Sequence, residues 1–214
     1  MYMNKVLICF MSCRKNNRIW KRLLNNNPIN NNFNKLIFVG DSTINQPFIF
    51  KNNILIVKCE DSYDYLPVKV YLMIQAILKI PRFNNITHIL KVDDHDTIIQ
   101  YNFLNFLNRR ITFPDYCGQK IQNYQNGNRL WHMNKCPFNS RWFNKEYEGN
   151  FSTWIDGGSG YILSKEAMKL IVSKRLPIST IHENFIYEDL MIALILKNYN
   201  IFPRQIAKII IDKV

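Results

Sequence analysis

One apolar stretch of this chain runs into Leu90-Lys91-Val92-Asp93-Asp94-His95-Asp96-Thr97, which sets three aspartates and a histidine within four positions. Carboxylates this close repel one another, so a fold that gathers them needs positive charge among them. A hard divalent cation meets that need, because aspartate oxygens suit magnesium, manganese or calcium. The preceding residues 86–92, apolar except for Thr87, His88 and Lys91, read as a strand. The acids therefore sit where a strand ends, and the pattern points to a metal that carries a phosphate-containing substrate.

The rest of the chain gives that strand its setting. Residues 6–11 are apolar without a break, as a strand covered on both faces must be. Residues 17–24 read as a short helix, 36–39 as a second strand turning at Gly40-Asp41-Ser42, and 54–57 as a third. Residues 68–78 carry Val68, Leu72, Gln75 and Ala76 near one helical face, with Pro67 where a helix start tolerates it. Residues 98–107 are expected to form a further helix. This order predicts an α/β fold with a mostly parallel central sheet flanked by helices, as one domain over 1–214. Open sheets of that class bind ligands beyond the carboxyl ends of their strands, which is where the acids lie.

Beyond residue 115 the chain changes character. Residues 116–151 are rich in Asn, Gln and aromatic side chains, among them Tyr124, Trp131, His132, Phe138, Trp142, Phe143, Tyr147 and Phe151. The segment reads as irregular or short-stranded. Its aromatics either line a sugar cleft, where C–H faces pack on rings, or merely cover the sheet; the residues alone leave both readings open. The block Trp154-Ile155-Asp156-Gly157-Gly158-Ser159-Gly160 is neither a P-loop nor GxGxxG, yet its glycines permit close approach to a ligand. Ser164 is placed to cap a helix whose apolar face is Ala167, Leu170 and Ile171. Glu188 and Asp189 precede an apolar helical run, 190–196, where negative charge suits a helix start.

The net charge of +12 favours anionic partners, but it is dispersed. The densest basic stretch, Arg14, Lys15, Arg18, Lys21 and Arg22, reads as a solvated helix face, so no specific nucleic-acid partner is expected. Abundant Asn, Ile and Lys, with a near-tract of Asn over 25–34, read as codon bias from an AT-rich genome. The five cysteines, Cys9, Cys13, Cys59, Cys117 and Cys136, form no CxxC pair. That usage fits the cytoplasm or another reducing compartment, and a bridge between Cys117 and Cys136 stays open. No run approaches the roughly 20 apolar residues of a membrane span, so a soluble chain without a transmembrane segment is expected.

Four blocks, in order, resemble the beta-1,3-galactosyltransferase and fringe superfamily. Glu60-Asp61-Ser62-Tyr63-Asp64-Tyr65-Leu66-Pro67-Val68-Lys69 resembles that family's D-S-Y-x-N-L-T-x-K-T block, and Lys91 to Thr97 resembles its K-x-D-D-D segment. Trp154 to Ser164 resembles C-S-G-x-G-Y-x-L-S, and Glu188-Asp189-Leu190 resembles E-D-V. The resemblance implies a GT-A-like fold with a nucleotide-sugar-binding half, 1–110, and an acceptor-binding half that carries the catalytic base, 111–214. It implies a UDP-sugar donor, a glycan or glycoprotein acceptor, manganese (or magnesium), and inversion at the anomeric carbon, with a beta-1,3 linkage. Carried over residue by residue, Asp94 and Asp96 would hold the metal, with Asp93 next and His95 in the alternative alignment. Asp61, Lys69, Lys91, Asp93 and Asp94 would lie on the donor side. Trp154, Asp156, Gly157, Gly158 and Gly160 would line the acceptor and sugar side. Asp189 would be the general base, with Glu188 as its alternative. The family also supplies a metal-ligating histidine near its C-terminus, and this chain has none after His182. A catalytically degenerate glycan- or nucleotide-sugar-binding module and, more distantly, a metal-dependent nuclease are the competing expectations.

Overall fold

A computed structural model describes residues 5–25, 33–94, 98–99, 103, 113–121, 129–206 and 210–211. At its centre lies β1 (Val6–Met11), buried along its whole length. Alternation sends Leu7, Cys9 and Met11 into one apolar cluster and Val6, Ile8 and Phe10 into another on the opposite face. Burial on both faces is why this run carries no polar residue.

After α1 (Asn17–Asn25) comes β2 (Asn34–Gly40), parallel to β1. The strands β3 (Phe48–Lys51) and β4 (Ile54–Val57) form an antiparallel hairpin, and β4 runs parallel to β2. Asn52 and Asn53 turn the hairpin at φ 51 and 61, the left-handed pair that matches strand twist. The sequence reading finds β4 and misses β3. Next come α2 (Leu66–Lys79), with Pro67 in its first turn, and β5 (His88–Asp93), parallel to β1.

The expected helix over 98–107 is corrected at its start, because β6 (Ile98–Ile99) is a strand; apart from Phe103, the rest lies outside the described residues. The second half supplies β7 (Tyr116–Gly118), β8 (Lys120–Ile121), β9 (Trp154–Ile155) and β10 (Tyr161–Ser164). It then supplies α3 (Lys165–Ser173), α4 (Ile178–Asn184), α5 (Glu188–Lys197) and β11 (Arg204–Gln205), and closes with β12 (Ile210–Ile211), which pairs with β6. Ser164 caps α3 as expected, its Oγ accepting from Ala167 N at 3.0 Å.

The main sheet runs β11-β7-β10-β5-β1-β2-β4-β3. From β5 to β4 all neighbours are parallel, while β10 is antiparallel to both β5 and β7. The mostly parallel α/β architecture is therefore the one expected. The helix α2 packs against α3, α4 and α5 on one face, and α1 lies over β2 on the other. Cys117 belongs to one face cluster and Cys136 to the other, and all five thiols are free, which removes the bridge left open above. Among the described residues no helix is long and apolar enough to cross a membrane.

Candidate active site

β1 and β5 end side by side, Met11 opposite Asp93. Beyond that edge lies a cleft of about 510 Å³, a size that suits a small-molecule ligand. Ser12, Asn16, Asp61, Lys69, Asp93 and Asp94 line it from the ends of the parallel strands and the start of α2.

Two of the expected donor-side residues form an ion pair, Lys69 Nζ to Asp61 Oδ1 at 2.5 Å. Asp61 also accepts from Gly40 N at 3.0 Å and Arg14 N at 2.7 Å, and Lys69 donates to Ser12 O at 3.1 Å. This pair thus fastens together the loops that follow β1, β2 and β4. A side chain at Gly40 would have no room, because a Cβ there would lie 2.8 Å from Glu60 O.

Asp94 is buried and anchored on the same edge. Its N–H donates to Met11 O at 3.0 Å, and its Oδ2 accepts from Ser12 Oγ at 2.5 Å and Asn16 Nδ2 at 2.9 Å. Trp20 Nε1 donates to Ser12 Oγ at 2.7 Å and holds that hydroxyl in place. His95 and Asp96, the other expected metal ligands, lie outside the described residues. Among the described residues no group of three or more His, Cys, Asp or Glu side chains could hold an ion. The carboxylates of Asp93 and Asp94 nevertheless line one cleft, and two carboxylates fit a divalent cation whose other ligands come from substrate phosphates and water.

A second network adjoins the first. Tyr161 of β10 stands opposite Lys91 of β5. Lys91, 0% exposed, donates to Glu188 Oε1 at 2.6 Å, Asp93 Oδ1 at 2.7 Å and Gly157 O at 3.3 Å. Burial works against its ammonium form, but Asp93 and Glu188 outweigh that and raise its pKa. Tyr161 OH donates to the other Glu188 oxygen at 2.7 Å. One buried lysine thus joins the donor-side acid of β5 to the acidic start of α5.

Asp189, the expected base, is half-buried beside this network. Its Oδ2 accepts from Gly157 N and its Oδ1 from Leu190 N, each at 2.8 Å. Burial first, then the Glu188 carboxylate, pushes its pKa up to about 7, against the pull of those two N–H groups and Lys91. Glu188 is buried and held by the Lys91 and Tyr161 side chains, whereas Asp189 is half-buried and accepts only from backbone N–H groups, which leaves it the more accessible of the two.

The glycine block divides. A Cβ on Gly157 would lie 2.7 Å from Glu188 Oε1 and 3.1 Å from Asp189 Cβ, so the acid pair requires glycine there. Gly160 has φ 84, a left-handed angle. At Gly158 the nearest atom to a Cβ would be Asp156 Oδ1 at 3.5 Å, an ordinary contact. Asp156 closes its own turn, accepting from Gly158 N at 3.1 Å and from Ser159 Oγ. Trp154 needs correcting: it is 2% exposed in the core beside Phe151, so it has no face to offer a sugar. Most of the described aromatics in the 116–151 segment cover the sheet in the same way. Tyr147, Trp142 and His132 are buried in a ring cluster with Tyr187, while Phe138 and Trp131 stay exposed; Tyr124 lies outside the described residues.

Sequence reasoning missed Ser12, Asn16, Tyr63, Lys135 and Tyr161 as site residues. Tyr63 and Tyr161 lay inside quoted blocks, and those positions were the signal they gave. Tyr63 lines the cleft, and burial, then Asp189, raises its phenol pKa.

A family model described as Galactosyltransferase matches residues 50–207, well over half of the chain. No curated protein matches it.

Proposed function

Since this chain belongs to the galactosyltransferase family and is a glycosyltransferase, we propose that it moves a hexose or N-acetylhexosamine from a UDP-sugar to a glycan hydroxyl, with inversion and a beta-1,3 linkage. The observation that carries this reading is Asp189: a carboxylate with its pKa pushed up to about 7, fixed by Gly157 N–H and close enough to act on Tyr63, a residue that lines the cleft.

The donor lies in the cleft with its diphosphate along Asp93 and Asp94. These carboxylates, with Asp96, would hold a divalent cation, and that ion supplies positive charge to a departing diphosphate. The acceptor hydroxyl approaches the anomeric carbon from the opposite side. Asp189 removes its proton as the new bond forms and the bond to UDP breaks. A base whose pKa lies close to the working pH combines a usable ionised fraction with real proton affinity, an effect worth roughly 10²–10⁴ in rate. Single displacement by one base inverts the anomeric centre. Lys91 and Tyr161 hold both Glu188 oxygens in place, and the Glu188 carboxylate raises the proton affinity of its neighbour Asp189.

The test is transfer of labelled sugar from UDP-hexose and UDP-N-acetylhexosamine to a panel of glycan acceptors, with manganese and with chelator. Product formation that rises with pH through about 7 supports the reading. Tight donor binding with neither transfer nor hydrolysis would replace it with a binding module, and cleavage of nucleic acid would replace it with a nuclease.

A further inference from the structure

We infer that Lys15 and Lys135 together grip the diphosphate of the nucleotide in the cleft, so that the cleft retains a nucleoside diphosphate even when no metal is supplied; this rests on the transferase reading above. Both side chains line the cleft, and they come from segments 120 residues apart in sequence, the turn after β1 and the turn-rich stretch before Pro137. Among the described residues neither ammonium has a carboxylate partner, whereas Lys69, the third lysine of the cleft, is paired with Asp61.

Lys135 Nζ instead lies over the Tyr63 ring, 5.4 Å from its centroid. A cation over a half-buried ring is held less firmly than by a charge-assisted bond to a phosphate oxygen. The ring therefore parks the lysine where an arriving anion can take it. Lys69 and Lys91 already pair with Asp61 and Asp93 there, so the ammoniums of Lys15 and Lys135 add the positive charge that draws an anion in.

The arrangement also orients the ligand. Tyr63 lies close enough to Asp189, Asp93 and Glu188 for their charges to act on its phenol, and it carries Lys135 on its ring. The diphosphate then sits on the lysine side of Tyr63 and the transferred sugar on the Asp189 side. A lysine from the second half of the chain thus acts on the donor, which the division into a donor half and an acceptor half would not assign.

Calorimetric titration of the whole chain with UDP, and separately with inorganic pyrophosphate, tests this in EDTA and in manganese. Wild type should bind both ligands in EDTA. Lys15→Met and Lys135→Met should each weaken that binding about tenfold, the scale of one charge-assisted hydrogen bond, while Lys135→Arg restores most of it. Lys197→Met, at the far end of α5, controls for loss of one general charge and should change affinity less than twofold. Thermal unfolding of each variant checks that the fold is intact. Equal affinity of wild type and both methionine variants in EDTA, or binding by wild type only with manganese, overturns the proposal and leaves the transferase reading standing. Lysine-dependent binding of pyrophosphate with no affinity for UDP in any buffer overturns both the nucleotide proposal and the UDP-sugar reading.

Discussion

Replacing Asp189 with asparagine should stabilise the protein and stop its chemistry over the same pH range. Burial and the adjacent Glu188 charge raise the Asp189 pKa from 3.8 to about 7. A folded-state pKa above the unfolded value means that the fold prefers the protonated carboxyl. Its contribution to stability is full below pH 4 and is lost as pH rises through 7. Over that interval the loss reaches about 4 kcal/mol, at 1.36 kcal/mol per unit. Asparagine escapes it but has one oxygen where the carboxylate accepts from both Gly157 N and Leu190 N, and the lost hydrogen bond costs about 1 kcal/mol. Asp189→Asn should therefore be about 3 kcal/mol more stable than wild type at pH 8 and about 1 kcal/mol less stable at pH 4, where only the lost hydrogen bond counts. Urea unfolding at a series of pH values measures the difference. Transfer of labelled sugar should meanwhile fall by roughly 10²–10⁴, with donor affinity unchanged. A variant less stable than wild type at pH 8, or one that transfers within tenfold of wild type, refutes the argument.

Lys91→Met should destabilise by about 3–5 kcal/mol in chemical denaturation, because it strands the Asp93 and Glu188 carboxylates it now pairs; adding Glu188→Gln should recover part of the loss. Gly157→Ala should cost about 1–3 kcal/mol and most of the turnover, since its Cβ would meet the acid pair, whereas Gly158→Ala should be close to neutral in both thermal unfolding and rate. Asp96→Ala should remove the manganese-dependent part of UDP affinity, read by titration with and without chelator, and leave the unfolding midpoint in chelator unchanged.

What could be read ahead of the coordinates follows a physical rule. The strand β1 was legible because burial on both faces leaves an unbroken apolar run, β4 because its four residues are all apolar, and β5 because Lys91 alone interrupts the apolar residues between His88 and Asp93. The helix α2 announced itself by Pro67 and its apolar spacing. β3 was not legible: at the edge of the sheet, Phe48 and Phe50 pack inward while Ile49 is 37% exposed, and four residues are too few to show a period. Single residues were misjudged where a long-range partner decides their surroundings. Lys91 looked like a nucleotide contact because it precedes the aspartates, but its closest partner, Glu188, is 97 positions away and no local pattern reveals it. Trp154 was placed on the acceptor side because it opens the block that resembles C-S-G-x-G-Y-x-L-S, yet its pairing through β9 carries it into the core. Gly157 was legible as special, but the reason, room for two carboxylates, needed α5 in place.

β10 is antiparallel to β5, so the glycine turn entering it arrives beside the end of the strand that bears Asp93. Only with Tyr161 opposite Lys91 does the phenol reach Glu188. Because side chains alternate along a strand, a slip of one residue would swing that phenol to the far side of the sheet. A deletion or insertion between Gly157 and Tyr161 would therefore yield a protein that still collapses and looks well formed by circular dichroism, yet is silent as a catalyst. Length in that short stretch is under stricter control than the identity of most of the residues in it.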